Sequence, residues 1–479
     1  MSSQSHPRLT ATAEAPPVAQ GPLLEFTQGP IACMRRLQAQ FGDIAALEED
    51  GQRLVFVFSP ELNRKVLADS NSFHSRFFAV RGGRKSAQRR VTSGLLSQNG
   101  EEHRTGRRAM MDVFTKRMLP AYHDTITQLT SDMMSAWQPG DVQDLNESMV
   151  QLMLRMTNSL LFGIDDQQYS AELGEKIDHW VRMNHEVGMG AMVASSQASD
   201  GYDRLLALAE DVEASVREMF GGRRSNADGR VDILSLLMRG SDGEQKLTQE
   251  QLVGHATLLF AAAHLTTAHT LSWTLFLLAQ HPDVMQELTQ ELTEQTDADS
   301  PSHDQIESLS YLDQVIHESM RVLPASSYSQ RVTVQPVQLG PLSLPPLTPV
   351  IFSQFMTHHS PAIYDNPEEF RPERWSSISP SSYEYLPFGG GARRCIGAPL
   401  AMVELRTALT VILKRFHFEV LPGATVNGQV VSTMLGPTST VPAKLLSPNQ
   451  IGASTPVVGS IHNLVSLPSA TSDADRVAA

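Results

Sequence analysis

The chain has 479 residues, of which 41% are hydrophobic and 19% charged, and its formal net charge is −14 at pH 7. This length and apolar content allow a large buried core, whereas the negative charge argues against non-specific binding to nucleic acid. The two cysteines, Cys33 and Cys395, are too few and too far apart for a disulfide scaffold. They are typical of a reducing compartment, so we expect a cytoplasmic protein.

The two ends of the chain differ in composition from the middle. Residues 1–20 are rich in Ser, Thr, Ala and Pro and contain no apolar run that could act as a signal peptide, so we expect a disordered leader. Residues 21–446 show neither a repeat nor a clean linker, which predicts a single domain. The segment 447–479 is rich in Ser, Ala and Val, and we expect a poorly ordered tail.

A β-hairpin is the first element expected after the leader. Its strands are 44–47 and 54–58, joined through an acidic turn that ends in Gly51. Ser59 and Pro60 come next and have the features of a helix start, with Ser59 as the N-cap and Pro60 at the first helical position.

Helical patterns dominate the middle of the chain, at residues 102–117, 122–137, 145–162, 171–193, 203–220, 248–280 and 282–295. β-Branched residues separated by Pro and Gly predict short strands within 330–351 and again within 420–445. The expected fold class is therefore mainly α with small β-sheets, an α+β arrangement. The apolar stretch 252–279 contains His255, His264 and His269, which favours a buried core helix over a membrane anchor.

One segment near the C-terminal end combines glycines, arginines and a cysteine: Phe388-Gly-Gly-Gly-Ala-Arg393-Arg-Cys395-Ile-Gly397. Glycines allow the backbone to approach a sulfur closely. The helical pattern from Ala398 would place Cys395 just before a helix N-terminus, which lowers a thiol pKa. We therefore expect an ionised, metal-binding thiolate. A phosphate-binding loop is disfavoured because no Gly-Lys-Ser/Thr ending follows.

The pattern Phe388-x-x-Gly391-x-Arg393-x-Cys395-x-Gly397 resembles in full the haem-binding signature of the cytochrome P450 family. The resemblance covers nearly all of the chain between the leader and the tail. It implies the cytochrome P450 fold, with haem b (iron protoporphyrin IX) between a long distal helix and a proximal cysteine loop. Cys395 would be the axial ligand of the iron, shielded by Phe388 and approached by amide groups near Gly397.

Other motifs acquire roles through the same resemblance. Glu318 and Arg321 lie one helical turn apart, a pair that is usually solvated and contributes little to stability. Here they resemble the Glu-x-x-Arg pair of the family, with Arg374 as the third member of a charged cluster. The implied role of this cluster is structural, because it holds the loop that presents the cysteine.

The two haem propionates need neutralising partners when they are buried. His103 and Arg107 are spaced i,i+4, so they share a helix face and could reach one propionate; the alternative is a solvated basic helix end. By resemblance, Arg331 and Arg393 complete the set of propionate ligands.

The distal segment departs from the family pattern. Residues 261–267, Ala-Ala-Ala-His-Leu-Thr-Thr, resemble the oxygen-binding segment, but Leu265 stands where an acid normally precedes the threonine. Leucine cannot relay a proton, so the proton source is a water chain, His264 or a distant group. Thr266, with Thr267 beside it, can still hold oxygen or a water; the alternative is a bond to the carbonyl four residues back.

The resemblance also suggests a substrate pocket and an activity. The expected pocket residues carry no charge and indicate a mostly apolar small molecule: Ala262, Ala263, Ala325, Tyr328 and Leu435. The expected reaction inserts one atom of dioxygen into it. Because no dinucleotide fingerprint or cluster-binding cysteines are present, electrons are expected from a separate ferredoxin- or flavodoxin-type donor with its reductase. Exposed cations could dock that donor: Arg104, Arg108, Lys116 and Arg117.

Two other activities remain open at this point. Leu265 is compatible with a haem-thiolate enzyme that does not activate dioxygen in the usual way, such as a peroxygenase, an isomerase or a dehydratase. The third alternative is a non-catalytic haem protein that binds or senses a ligand.

Overall fold

Helices form most of the molecule, and small sheets flank them. A computed structural model describes residues 16–76, 80–164, 166–190, 198–221, 232–239, 247–296 and 301–468. The predicted class, mainly α with small sheets, is confirmed. Residues 1–15 of the expected leader and 469–479 of the expected tail lie outside the described residues.

The α-helices extend from the start of the described chain to the segment after Cys395. They are α1 Leu24–Gln28, α2 Pro30–Phe41, α3 Pro60–Ala68, α4 Ala87–Val91, α5 Gly100–Met111, α6 Leu119–Met133, α7 Leu145–Phe162, α8 Gln167–Gly190, α9 Ala198–Gly221, α10 Ile233–Arg239, α11 Gln249–Gln280, α12 Pro282–Gln295, α13 His303–Glu307, α14 Ser310–Val322, α15 Gln354–His358 and α16 Ala398–Leu413.

The strands are short and belong to several sheets. They are β1 Val18–Gln20, β2 Ile44–Glu49, β3 Gln52–Val57, β4 Phe73–His74, β5 Val142–Asp144, β6 Ser329–Thr333, β7 Val337–Leu339, β8 Leu342–Leu344, β9 Pro349–Phe352, β10 His417–Val420, β11 Gly428–Val431, β12 Met434–Pro437 and β13 Pro442–Leu446. The largest sheet has the order β1-β2-β3-β9-β6-β4, and smaller ones pair β10-β13-β5, β11-β12 and β7-β8.

The hairpin β2–β3 forms where it was predicted, but its strands extend further toward the turn. Asp50 and Gly51 alone form the turn, with φ angles of 49° and 77°. A two-residue turn with positive φ at both positions matches the twist of the flanking strands. Ser59 caps α3 by accepting a hydrogen bond from the Leu62 amide, and Pro60 opens the helix as expected.

The long helix α11 runs through the core and packs along α7. Thr248 and Gln251 form a reciprocal capping box at its start, with hydrogen bonds of 3.3 and 2.8 Å. Most side chains from Leu252 to Gln280 are buried on all sides of the helix, which explains why the sequence is apolar all round. Within the described residues, no helix combines the length and the apolar character needed to span a membrane.

The segment after β13 differs from the expected poorly ordered tail. Residues 447–468 pack on the body of the protein, and Ile461 and Val465 belong to the main hydrophobic core. Ser466 forms a parallel bridge to Glu369, and Val458 forms one to Thr425. At the other end, β1 within the expected leader pairs with β2. Composition alone did not reveal these segments because few but well-placed apolar side chains anchor them.

Candidate active site

The loop before Cys395 is shaped by glycines. Gly389 and Gly391 have φ angles of 65° and 64°, in the left-handed region. A Cβ on Gly391 would lie 2.2 Å from the carbonyl oxygen of Leu67, so only glycine lets the loop lie against α3. The Cys395 amide donates a 2.8 Å hydrogen bond to the Phe388 carbonyl, and Phe388 packs against the core. The loop thus has one defined shape around its cysteine.

The Cys395 thiol is accessible, although the surrounding protein is dense enough to desolvate it. Burial raises its pKa, while the amide groups of Gly397 and Ala398 and the charges of Arg107 and Arg394 lower it; burial has the largest effect. The sequence had indicated only the contributions that lower this pKa. A coordinated metal ion deprotonates a thiol outright, so the raised pKa is compatible with a metal ligand.

Glu318 and Arg321 form a fully buried ion pair rather than a solvated one. Arg321 donates to both carboxylate oxygens of Glu318 at 2.8 and 2.9 Å, and neither side chain is exposed. Arg374 donates to the same carboxylate at 2.8 Å from Nε. The Trp375 indole and the Arg371 amide complete its hydrogen bonds, so all the lone pairs of this buried charge are engaged.

This charged cluster also binds the backbone of the segment that leads to the cysteine loop. Arg321 donates to the carbonyl oxygens of His358, Pro367 and Glu369 at 2.7–2.9 Å. Arg374 donates to the Asp365 carbonyl at 2.7 Å. Two guanidinium groups on different elements thus hold a chain segment that has no regular secondary structure of its own.

Four basic side chains lie close enough to affect one another electrostatically, and one of them, Arg107, also interacts with Cys395; the group consists of His103, Arg107, Arg331 and Arg393. Burial lowers the pKa of Arg331 to about 10, and the charge of Arg393 acts in the same direction. Burial and the charge of Arg107 lower the pKa of Arg393 to about 10 as well. The pKa of His103 is lowered to about 4, mainly by burial and to a smaller extent by the charges of Arg393, Arg107 and Arg331. This histidine is therefore neutral.

None of the three arginines in this group forms an ion pair with a carboxylate among the residues that the structure describes. Arg393 donates instead to the carbonyls of Leu95 and Gln98 and to Asn99 Oδ1, and Arg331 donates to the Gln330 carbonyl. Partly buried cations that repel one another and lack acidic partners are suited to an anionic ligand. This donor set fits the two carboxylates of a haem beside an accessible cysteine.

Thr266 and Thr267 lie in the middle of α11, and both hydroxyls bond back to their own helix. The acceptors are the carbonyls of Ala262 at 2.8 Å and Ala263 at 3.2 Å. Thr266 is partly exposed and Ala262 is exposed, which is unusual in the interior of a core helix. A small residue that leaves the helix surface open at this point is suited to close approach by a flat group.

His264 has no nitrogen available for a distal group. Its Nδ1 lies 3.1 Å from the Phe260 carbonyl, and its Nε2 lies 3.1 Å from Asp178 Oδ2 on α8. The side chain is fully buried. These bonds hold His264 at the contact between α8 and α11; the sequence had left it as one of three alternative proton sources.

Glu404 is a candidate functional residue that the sequence reading missed. It is 5% exposed on α16, and burial raises its pKa to about 8, against a smaller opposite effect of the nearby Thr267 hydroxyl. The side chain is therefore a neutral carboxylic acid at pH 7. The available signal was a single glutamate on the apolar face of the helix that follows the cysteine.

The expected pocket residues fall into two sets. Ala262 is exposed and Ala263 partly exposed, whereas Ala325, Tyr328 and Leu435 are buried. Tyr328 donates to the Ser432 carbonyl at 2.6 Å, and Leu435 is completely enclosed. The expectation that Leu435 lines the pocket is wrong. Side chains alternate along β12, so Leu435 faces the core, whereas Met434 and Gly436 on either side of it face an open cleft.

The family model for cytochrome P450 matches residues 15–441, and the chain belongs to this family. A similar curated protein is cyclooctat-9-en-7-ol 5-monooxygenase of Streptomyces melanosporofaciens, 29% identical over 436 residues, or 88% of this chain and 92% of the relative. Cyclooctatin synthase of the same organism is 26% identical and covers 91% of this chain and 96% of its own. The chain is thus an oxidoreductase of the monooxygenase kind with iron protoporphyrin IX as its cofactor.

Solved structures share the fold at lower identity. The structure titled retinoic acid bound cyanobacterial CYP120A1 superimposes with a TM-score of 0.76 at 23% identity, covering 90% of this chain and 99% of that one. The cytochrome P450DA heme domain gives a TM-score of 0.77 at 21% identity, with 90% and 98% covered. The predicted fold is confirmed by both.

Proposed function

We propose that Cys395 is the axial iron ligand and that His103, Arg107, Arg331 and Arg393 hold the haem propionates. The observation that carries this proposal is the accessible cysteine next to a group of partly buried arginines that form no ion pair with a described carboxylate. When bound, haem supplies the oxygen and electron chemistry that protein side chains lack. The charged cluster of Glu318, Arg321 and Arg374 keeps the segment before Cys395 in place.

The proton that Leu265 cannot deliver is held, in this proposal, at the carboxyl group of Glu404. That group is neutral at pH 7 and lies beside Thr267, one residue from Thr266 on α11. The Thr266 hydroxyl donates to its own helix, which leaves its oxygen free to accept a hydrogen bond from a water. Glu404 thus replaces, from the neighbouring helix, the acid that α11 does not carry.

The substrate is a mostly apolar small molecule. The relative from Streptomyces melanosporofaciens has an alcohol, cyclooctat-9-en-7-ol, in its name. The exposed surface of α11 at Ala262 is apolar and uncharged, which is suited to a hydrocarbon skeleton. We extend the substrate class to apolar molecules with few polar groups. The electrons come from a separate ferredoxin- or flavodoxin-type protein with its reductase.

The test of the haem-thiolate assignment is the carbon monoxide difference spectrum of the reduced protein. We expect the red-shifted Soret band of a thiolate-ligated haem in the wild type and its loss in Cys395→Ser. Cys33→Ser is the matched control, because Cys33 is buried in α2 and burial raises its pKa to about 11. A thiolate band that persists in Cys395→Ser would contradict the proposal.

Leu265 favours a second candidate, oxidation driven by peroxide. Peroxide already carries the electrons and protons that dioxygen must acquire, so a distal acid is less important. The comparison is product formation with hydrogen peroxide against formation with reduced donor protein. Under the main proposal the donor-driven reaction is efficient in the wild type and falls in Glu404→Leu. If only peroxide sustains turnover, the second candidate is correct.

The relatives named as monooxygenases and synthases argue against a non-catalytic haem protein.

A further inference from the structure

Arg35 on α2 contacts three parts of the chain that are distant from it in sequence. Its Nη1 donates to the Asn463 carbonyl at 2.6 Å, and its Nη2 donates to both carboxylate oxygens of Glu368 at 3.2 and 3.4 Å. Its guanidinium carbon lies 5.2 Å from the centre of the Phe355 ring on α15. One side chain near the start of the chain thus contacts α15, the segment before the cysteine loop and the C-terminal segment 447–468.

Glu368 depends on Arg35 for a hydrogen-bond donor. Burial raises the pKa of this carboxyl group, and the charges of Arg35 and Arg321 act in the opposite direction. The neighbouring His359 is neutral, because burial lowers its pKa well below the ordinary value. Its Nδ1 lies 2.9 Å from the Phe355 carbonyl and carries the proton, so the Nε2 atom, 3.4 Å from Glu368, has none to donate. Within the described residues, Arg35 is the only donor to this carboxylate.

The backbone around Glu368 is also bound by the charged cluster. The carbonyls of Pro367 and Glu369, on either side of it, both accept hydrogen bonds from Arg321. The Glu368 carbonyl accepts from the Ser466 amide at 2.8 Å. The position of this backbone is therefore shared between the cluster in the interior and the contacts of Glu368 nearer the surface.

Two contacts connect this segment to the cysteine loop. Trp375, which donates to the Glu318 carboxylate at 3.0 Å, packs against the Tyr385 ring with 4.6 Å between the ring centres. The Leu386 amide donates to the His358 ring on α15 at 2.8 Å, and the cysteine loop begins two residues further on. A shift of the preceding segment would therefore move the loop that presents the thiol.

We propose that Arg35 is a positioning residue for the thiolate ligand and that it acts through Glu368 and the charged cluster. It holds the backbone before the cysteine loop from the outside and connects that backbone to α2 and to the segment 447–468. This segment lies outside the residues 15–441 that the family model matches, so its contact with Arg35 goes beyond the family pattern. The proposal rests on the assignment of Cys395 as the axial ligand.

Arg36 provides a matched control on the same helix. It forms a bidentate ion pair with Glu25 on α1, with N–O distances of 2.8 and 2.7 Å. The side chains of Arg35 and Glu368 are 37% and 43% exposed, and those of Arg36 and Glu25 are 42% and 37% exposed. The two ion pairs are therefore screened by solvent to a similar extent, but only that of Arg35 reaches the segment before the cysteine loop.

The test measures how fast the haem-loaded protein loses its thiolate ligand. The reduced carbon monoxide complex is kept in urea below the unfolding transition while the red-shifted Soret band is replaced by the band of a complex without thiolate. Circular dichroism recorded in parallel verifies that the protein stays folded. We expect Arg35→Met to lose the thiolate band about fivefold faster than the wild type, an effect typical of one partly exposed ion pair and one hydrogen bond. Arg36→Met should match the wild type.

A double-mutant cycle tests whether the effect passes through Glu368. Glu368→Gln removes the charge with little change of shape, and we expect it to accelerate the loss of the thiolate band by a smaller factor. The double variant Arg35→Met/Glu368→Gln should be no faster than Arg35→Met alone, because both changes remove the same interaction. Fully additive effects would show that Arg35 does not act through Glu368 and would overturn the proposal.

The proposal is equally overturned if Arg35→Met and Arg36→Met lose the thiolate band at the same rate. The same holds if the band in Arg35→Met disappears only together with the circular dichroism signal, since that result would assign Arg35 to general stability. A wild-type spectrum without the red-shifted band is a distinct result: it refutes the assignment of Cys395, whereas equal rates in the two variants leave that assignment intact.

Discussion

Glu404 places an ionisable carboxyl group in the apolar contact between α11 and α16. Burial raises its pKa from 4.5 to about 8. The folded protein therefore keeps a proton that the unfolded chain releases between pH 4.5 and 8. Since the unfolded state binds fewer protons in this window, the contribution of Glu404 to the free energy of unfolding falls as the pH rises through it.

Replacement of Glu404 by glutamine should remove this pH dependence, because the amide is neutral and has nearly the same shape. We expect the melting temperature of Glu404→Gln to fall less than that of the wild type between pH 5 and pH 8, and to be higher at pH 8. Differential scanning calorimetry at a series of pH values measures this. Parallel curves for the two proteins would show that Glu404 does not titrate in this range.

Arg331 is the most informative of the basic residues near Cys395, because its protein contacts are few. It donates to the adjacent Gln330 carbonyl and lies over the Phe352 ring, 5.2 Å from its centre. Arg331→Met should leave the fold intact and remove a charged hydrogen-bond donor that we propose for a haem propionate. Such bonds contribute about 1.5–3 kcal/mol, so haem loss should accelerate roughly 10- to 100-fold.

Transfer of haem to excess apomyoglobin measures this rate. Arg53→Met on β3 of the same sheet is the control, because Arg53 pairs with Glu48 and lies outside the basic group. Equal transfer rates in Arg331→Met and wild type would exclude Arg331 as a propionate ligand.

At the scale of elements, the segment 447–468 acts as a strap on the part of the chain that leads to Cys395. Ser466 pairs with Glu369 and its amide donates to the Glu368 carbonyl at 2.8 Å. The Glu369 carbonyl accepts from Arg321 in the charged cluster. The same short stretch is thus held from one side by buried guanidinium groups and from the other by the C-terminal strap.

Ile461 anchors the strap, since its side chain is fully buried in the main core. Ile461→Ala should lower the free energy of unfolding by about 2–5 kcal/mol through lost burial and a residual cavity. Urea unfolding followed by circular dichroism measures the change. Val458→Ala on the same strap is the control, because Val458 is 53% exposed and should change stability by less than about 0.5 kcal/mol. Similar losses in both variants would contradict the anchoring role.

The hairpin β11–β12 shows how one strand contributes to two environments. Leu435 faces the core, and its carbonyl accepts from the Trp273 indole at 3.3 Å. Met434 and Gly436, on either side of it, face the cleft over α11. Because successive side chains point to opposite faces, a shift of register by one residue would exchange the two environments.

At the scale of the whole molecule, the net charge of −14 coexists with a local cluster of cations on and after α5. Arg108, Lys116 and Arg117 are exposed and form no ion pair with the described residues, whereas Arg104 pairs with Glu101. Such a patch on an acidic protein is suited to an acidic partner and increases its association rate through electrostatic attraction.

Charge reversal tests this surface. In the double variant Arg108→Glu/Arg117→Glu, electron transfer from an acidic ferredoxin should slow several-fold at low salt, and the difference from wild type should decrease at high salt because ions screen exposed charges. Stopped-flow reduction under carbon monoxide measures the rate. The double variant Arg53→Glu/Lys444→Glu is the control, because it changes the total charge by the same amount at residues outside this cluster. An unchanged rate at low salt would place the donor elsewhere.

The sequence by itself determined the elements and motifs that depend on local chemistry. Helices 145–162 and 282–295 lie within the bounds read from periodicity and caps, as does the start of α3 at Pro60. The cysteine loop identified the family because its glycines, its arginines and its cysteine all lie within ten consecutive residues. Such features are readable because the interacting groups are neighbours in the chain.

Only the tertiary structure decided the properties that depend on burial by distant segments. The pKa of Cys395 is raised rather than lowered because surrounding elements desolvate it, and Glu404 is neutral because α11 covers it. His264 bonds to Asp178 on α8, 86 residues away in the chain. Desolvation and partner choice are non-local, so neither helical period nor motif spacing contains them.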